Sequence, residues 1–118
     1  MEPEAVNLAG KLNLFEKTWS PKVVASFNGH DVTVVKVKGR FVWHSHVETD
    51  DFFLVLRGAL TIEMRGGAVT LRPVELYVVP RGVEHCPVAE EETEVLLIEP
   101  AGTPHTGDRA IAAQKTKM

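Results

Sequence analysis

Apolar residues along this chain recur with two different periods. Over residues 4–17, Leu8, Leu12 and Phe15 fall at i, i+4 and i+7, which places them on one face of a helix. Trp19 and Ser20-Pro21 close that segment, because the residue before proline is driven out of the α region. The pattern predicts a short N-terminal helix; an extended arm packed on the rest of the molecule or on a partner subunit fits the same residues. From residue 22 onward the period shortens to two. The predicted strands are Lys22–Phe27, Asp31–Lys38, Phe41–His46, Phe52–Arg57, Leu60–Arg65, Val69–Arg72, Glu75–Val79 and Glu94–Glu99. Asn28-Gly29, Gly39, Gly58, Gly66-Gly67 and Pro80-Arg81-Gly82 punctuate them as turns. Gly-Gly between two alternating runs is a strong hairpin signal. Short strands with no helix between them predict an all-β fold, a single-domain antiparallel sandwich or barrel over residues 22–100. Residues 1–21 form the N-terminal helix or arm. Residues 101–118, rich in Gly, Thr, Ala and Lys with only a weak periodic stretch around Ile111, are expected to form a flexible C-terminal tail.

Composition narrows the function classes. With 118 residues, 44% of them apolar and 25% charged, the chain has the profile of one ordinary globular domain. Its net charge of −3, with no basic tract, argues against a nucleic-acid partner that needs phosphate neutralisation. No apolar run approaches the roughly 20 residues of a membrane span, and the acidic start MEPEAVN has no secretory apolar core. A single cysteine, Cys86, leaves no internal disulfide, so a cytoplasmic location is expected. Cys86 itself reads as a small buried apolar group.

Candidate chemistry concentrates in three histidines and a carboxylate. His44 and His46 lie two apart on a predicted strand, so both side chains point the same way with Cα atoms roughly 6.5 to 7 Å apart. Two imidazoles at that spacing can converge on one ion at about 2.0 to 2.1 Å each. Asp51 opens the next strand, and His85 follows the Pro80-Arg81-Gly82 turn. Three imidazole nitrogens and one carboxylate oxygen suit Fe(II), Mn(II), Ni(II), Cu(II) or Zn(II), and are too nitrogen-rich for Ca or Mg. An HxH pair alone fits equally well two polar residues on a solvated face or a satisfied core histidine. Phe53, Val55, Leu60, Ile62, Val78 and Leu97 are candidates for the barrel lining, with Tyr77 on the opposite face from Val78. Trp43 and Ser45 should point away from the histidines. Arg40, Arg57, Arg72 and Arg81 read best as solvated strand ends, and His30 and His105 as exposed. No residue stands out as a dedicated catalytic base, so the catalytic residues are left unassigned.

Spacing across two segments resembles the cupin superfamily. Its first motif is glycine, five residues, HxH, three or four residues, glutamate, six residues, glycine. The chain offers Gly39-RFVW-His44-Ser45-His46-VETD-Asp51-FFLVLR-Gly58. The second motif is glycine, five residues, PxG, two residues, H, three residues, asparagine. The chain offers Val74-ELYVV-Pro80-Arg81-Gly82-VE-His85-CPV-Ala89. Four residues rather than five follow Gly39, Val74 stands for the first glycine of the second motif and Ala89 for its asparagine. Asp51 stands for the glutamate, and its shorter side chain is expected to fall roughly 1 to 1.5 Å short unless the strand shifts.

The resemblance implies a cupin jelly-roll β-barrel that holds a divalent transition metal (Fe, Mn, Ni or Zn) in its mouth. His44, His46, Asp51 and His85 would be the ligands. Similar small cupins include dioxygenases and mannose-6-phosphate isomerase-like or epimerase-like proteins. The expected function is therefore a metal-dependent enzyme, dioxygenase- or isomerase-like, acting on a small organic molecule. The alternatives are a non-catalytic binding or sensor cupin, or a barrel with a structural or vestigial metal site. Small cupins commonly pair, and Phe52 to Leu56 is apolar on both faces, so a homodimer is expected.

Overall fold

The computed structural model describes residues 2–102 and 116–118. One helix and eight strands follow in order: α1 Leu8–Leu12, β1 Lys22–Phe27, β2 His30–Arg40, β3 Asp51–Arg57, β4 Leu60–Met64, β5 Gly67–Leu71, β6 Leu76–Val79, β7 His85–Pro100 and β8 Thr116–Lys117. Hydrogen bonding runs β5-β4-β7-β2-β1-β8, and β3 bridges β6 to β7. All pairings are antiparallel except the short β1–β8 contact.

The centre of the fold is β7. Its 16 residues pair with β2 along one edge, while the other edge is shared between β4 at His85–Val88 and β3 at Glu94–Leu96. Sharing one long strand between two partners rolls the sheet into a barrel. Register shifts at Val37/Gly39 and Val55/Arg57 supply the local bends. The Asn28-Gly29 turn takes positive φ at both residues (49° and 74°) between the paired Phe27 and His30, the backbone a tight two-residue hairpin requires.

Alternation along the strands sorts the side chains into two clusters. Val35, Val37, Phe53, Val55, Leu60, Ile62, Val95 and Leu97 point inward and form the barrel core. On the outer face of β1 and β2, Leu12, Val24 and Val34 bury one another with help from Leu8, Phe15 and Leu56. The N-terminal helix therefore exists, but it is only five residues long. Asn7 caps it, its Oδ1 accepting from Gly10 N at 2.9 Å. Leu8 and Leu12 are on the helix as predicted, whereas Phe15 reaches the same cluster from the segment beyond it.

Three strand expectations change. Phe41–His46 is not a strand: β2 ends at Arg40, and within that span only His44 makes a β-bridge, to His85. The last strand begins at His85 rather than Glu94; Pro87 and the exposed run Glu90–Glu92 hide its alternation in the sequence. Val78 points outward and is 40% exposed, while Tyr77 packs against the core. The phase of β6 follows its pairing with β3, where Phe53 faces Tyr77 and Asp51 faces Val79. Residues 103–115, including His105 and the stretch around Ile111, lie outside the described residues; beyond them Thr116–Lys117 lies parallel to β1.

Candidate metal centre

Two loops deliver the four predicted side chains to one place. Backbone hydrogen bonds join them: His44 N to His85 O at 3.0 Å, His85 N to His44 O at 2.9 Å, and Gly82 N to His46 O at 2.7 Å. Asp50 Oδ1 adds a tie by accepting from Arg81 N at 3.0 Å and from Arg81 Nε at 3.3 Å. The Asp50 carboxyl is held below its ordinary pKa first by the Arg81 backbone amide and then by its guanidinium. Arg81 is thus engaged with the loop, as Arg40 is with Glu63 at 2.8 and 3.1 Å.

The rings are oriented by backbone carbonyls. His44 Nδ1 donates to Val42 O and His85 Nδ1 to Val83 O, each at 2.9 Å. With Nδ1 so engaged, each ring turns its Nε2 inward, where His85 Nε2 is hydrogen-bonded to Asp51 Oδ2 at 2.8 Å. Asp51 Oδ2 then lies 2.8 Å from His85 Nε2, 3.3 Å from His46 Nε2 and 3.9 Å from His44 Nε2. The aspartate therefore reaches the histidines despite its shorter side chain, because it sits at the inward-facing first residue of β3. Trp43 lies outside this cluster, its ring under the Arg65 guanidinium at 3.8 Å.

Burial and charge act differently on each group. His44 is lowered to about 4, chiefly by burial, with the Val42 carbonyl and Asp51 opposing and the other imidazoles adding to the drop. Burial also pulls His46 down, but the Asp51 carboxylate, reinforced by Glu99, outweighs it and leaves the pKa raised. Burial would raise Asp51, yet its contacts with His46 and His85 win and lower it. Asp51 is therefore a carboxylate, and His44 a neutral imidazole, at neutral pH.

The donor set fits a divalent transition metal. One donor atom from each of the four residues lies within 4.8 Å of all the others. Two donors on opposite sides of an ion sit about 4.2 Å apart, so shifts of a few tenths of an ångström close the set around one ion. His46 Nε2 is the sharper sign: it is buried with no hydrogen-bond partner, Asp51 being near but out of line. A buried polar atom of that kind is unfavourable unless something else satisfies it.

The cluster opens on a cavity of about 40 Å³ inside the barrel. His44 and Asp51 form one wall, and Trp19, Phe41, Phe53 and Leu97 form much of the rest. Trp19 and Phe41 stack with centroids 4.6 Å apart, and Phe41 meets the His44 ring edge-on at 5.5 Å. Among the expected lining residues, Phe53, Leu60 and Leu97 face this cavity, and Val55 and Ile62 belong to the surrounding core. The sequence reading missed several wall residues, Phe41, Glu99 and Trp19 among them. Glu99 lines the cavity at only 3% exposure, and continuing the alternation Val95, Leu97 would have pointed to it. Trp19 left no such signal, because its place depends on a left-handed backbone (φ 57°) and on hydrogen bonds to the Lys36 and Lys38 carbonyls.

Comparison with known proteins places the fold in a family. A crystal structure of a cupin-2 domain containing protein from Shewanella frigidimarina is 46% identical, with a TM-score of 0.80, over 80% of this chain and 93% of that one. An uncharacterized protein of Bacillus subtilis (strain 168), YdbB, is 27% identical over 77 residues, 64% of this chain and 68% of that protein. The hydroquinone 1,2-dioxygenase PnpCD, crystallised with Cd²⁺ and 4-hydroxybenzonitrile, shares the fold at 17% identity and a TM-score of 0.69, over 82% of this chain and 72% of that one. A family model described as Cupin domain matches residues 31–99, the span that carries every residue of the cluster, and the chain belongs to that family.

Proposed function

We propose that this protein is a metal-dependent enzyme acting on a small organic molecule, with His44, His46, Asp51 and His85 holding one divalent transition ion, Fe, Mn, Ni or Zn. The observation that carries the reading is the inward convergence of three imidazole Nε2 atoms and one carboxylate at the wall of an apolar cavity. A bound ion would supply Lewis acidity and open positions for substrate oxygen or O₂. The chain's own residues do the rest. The Val42 and Val83 carbonyls fix the rings, and Asp51 supplies a negative charge beside the histidines. Trp19 and Phe41 stack on one another at the cavity wall, beside the His44 ring. Dioxygenase or isomerase chemistry fits this arrangement, and a dioxygenase is among the proteins that share the fold.

Metal analysis tests the reading directly. The purified protein should take up about one ion per chain. His44→Ala and His85→Ala should abolish uptake, and full stoichiometry in either variant would overturn the ligand assignment. Oxygen consumption by the Fe(II) form against thiols, diketones and catechols then separates an oxygenase from an isomerase. The small cavity favours a second reading, capture of a ligand without turnover; a ligand-induced rise in melting temperature with no product would carry it.

The same reading includes a homodimer in the reducing cytoplasm. Support comes from the exposed outer face of β3 and β6 and from the lone buried Cys86. Among the described residues no helix is long and apolar enough to cross a membrane.

A further inference from the structure

Trp19 stands in a backbone conformation that a bulky residue rarely takes. Its φ is 57°, in the left-handed region. Two hydrogen bonds hold it there: its backbone N donates to Lys36 O at 2.7 Å and its Nε1 to Lys38 O at 2.9 Å. Strain of this kind persists only where the surroundings over-determine it, and it concentrates at active and ligand-binding sites. What the strained backbone sets is the place of the indole. The ring lies in the wall of the cavity beside the metal cluster, stacked on Phe41 at 4.6 Å and 13°, and Phe41 in turn meets His44 edge-on. The single indole N–H is already given to Lys38, so the ring has no further hydrogen bond to offer a ligand. Trp19 also lies outside residues 31–99, so this part of the wall is not drawn from the span shared with the family. The cavity it borders is small. At about 40 Å³ it is well below the roughly 150 Å³ of an apolar cavity that takes up benzene. Among the described residues, His44, Asp51 and Glu99 are the ionisable groups of the wall, and the rest of the wall is apolar. Trp19 is the largest side chain on it, and its loss would open the most space.

We propose that Trp19 is the specificity-determining residue of the cavity and acts by size: with the indole in place, the site takes a compact, mainly apolar molecule of a few non-hydrogen atoms and rejects one that carries a six-membered ring. The proposal rests on the cavity being a ligand site, as the proposed function holds, and it names the class of molecule the site takes. Such a molecule turns its polar atom to the side of the wall formed by His44 and Asp51. Its carbon atoms lie against Phe53 and Leu97, and the indole sets how far they extend.

Xenon and benzene, an atom-sized and a ring-sized probe without charge or hydrogen-bonding groups, test it on the full metal-free chain by ¹⁵N NMR titration. The amides of Val35, Phe53 and Leu97 report on the cavity. In the wild type xenon should shift them and benzene should not. Trp19→Gly removes the indole and suits the left-handed backbone, so the fold tolerates it better than Trp19→Ala. Benzene should then shift the same amides, with affinity at least about tenfold above the wild type. Trp19→Phe keeps an aromatic ring beside Phe41 and should fall between the two; it carries the test if Trp19→Gly does not fold. Trp43→Ala, which loses a tryptophan outside the cavity, should behave as the wild type. Three results would each overturn the proposal: benzene bound equally by wild type and the Trp19 variants, benzene admitted by Trp43→Ala as well, or neither probe reaching the cavity of the wild type. A purely structural Trp19 would lower the melting temperature of its variants and leave benzene excluded, which also overturns it. Metal uptake, measured on the same proteins, separates the two readings. Size selection by Trp19 in a protein that takes up no metal removes the enzyme reading alone, and normal uptake without size selection removes this one alone.

Discussion

Burial divides the imidazoles of the cluster into groups that answer differently to pH. His44 titrates near 4 in the folded protein against about 6.5 when unfolded. Between those values the unfolded chain binds a proton that the folded chain refuses, so stability falls as pH drops from 6.5 towards 4. The His44 side chain is only 6% exposed, so solvent screens little of this, and the loss amounts to up to about 3 kcal/mol. The other two shifted groups act elsewhere. His46 is raised when folded, so its contribution is complete below about 6.5 and fades above it, as pH passes its folded value. Asp51 is lowered, so its contribution is present above about 3.8 and is lost below that as the folded carboxyl protonates. Of these three groups, only His44 acts across the interval from 6.5 to 4. Chemical denaturation of the metal-free protein across this interval should show the decline, and His44→Asn should flatten it by more than half. A decline of full size in the variant would place its cause in another group.

Two turns carry the strain and the tight packing that set the strands. Gly58, between β3 and β4, has φ +91°, and a Cβ there would lie 2.5 Å from Thr93 Oγ1 and 3.0 Å from Thr93 Cα. That threonine is fully buried and holds the turn through Ala59 N and O at 3.2 and 3.0 Å. Gly58→Ala should destabilise by about 2 kcal/mol or more in denaturant titration, while Gly66→Ala, with open space around it and an ordinary backbone, should stay within about 0.5 kcal/mol. Val74, between β5 and β6, shows the converse. It holds φ 69°, a poor conformation for a β-branched residue, and is 84% exposed with little packing to lose. Val74→Gly should raise stability by about 1 kcal/mol, and a fall would show that the exposed side chain matters more than the backbone. The family spacing places glycine at both positions, so this much was legible from residue order alone. The histidine cluster was legible for a related reason: HxH and PxG-xx-H fix which loops carry the ligands, and the His44–His85 bridge joins those loops. What the sequence hid depends on neighbours. Phe41 to His46 alternates like a strand, yet β2 stops at Arg40 and Phe41 N bonds to Pro87 O. Leu76 to Val79 is apolar at every position, so only pairing with β3 decides that Tyr77 and Val79 face inward.

Among the described residues, the barrel covers one of its outer faces with its own chain and leaves another bare. Over β1 and β2, Leu8, Leu12 and Phe15 of the N-terminal segment bury Val24 and Val34. On β3 and β6 the outward residues are Phe52 and Leu54 opposite Val78 and Leu76. Leu76 is 54% and Val78 40% exposed, and Phe52 and Leu54 are only half-buried. A continuous apolar face of this kind is unusual on a monomer and fits a self-complementary interface, because two copies of one flat patch can meet about a twofold axis. Sedimentation velocity of the metal-free chain should therefore find a dimer. Leu76→Lys combined with Val78→Lys should convert it to a monomer, since burying two unpaired ammonium groups costs more than the apolar contact returns. These side chains point away from the cavity, so metal uptake by the monomeric variant should match the wild type. A wild-type monomer at micromolar concentration, or a variant that remains dimeric, would move the interface away from this face. Loss of uptake together with the dimer would instead show that association holds the metal loops in place, tying Asp51 at the start of β3 to the outer surface of the same strand.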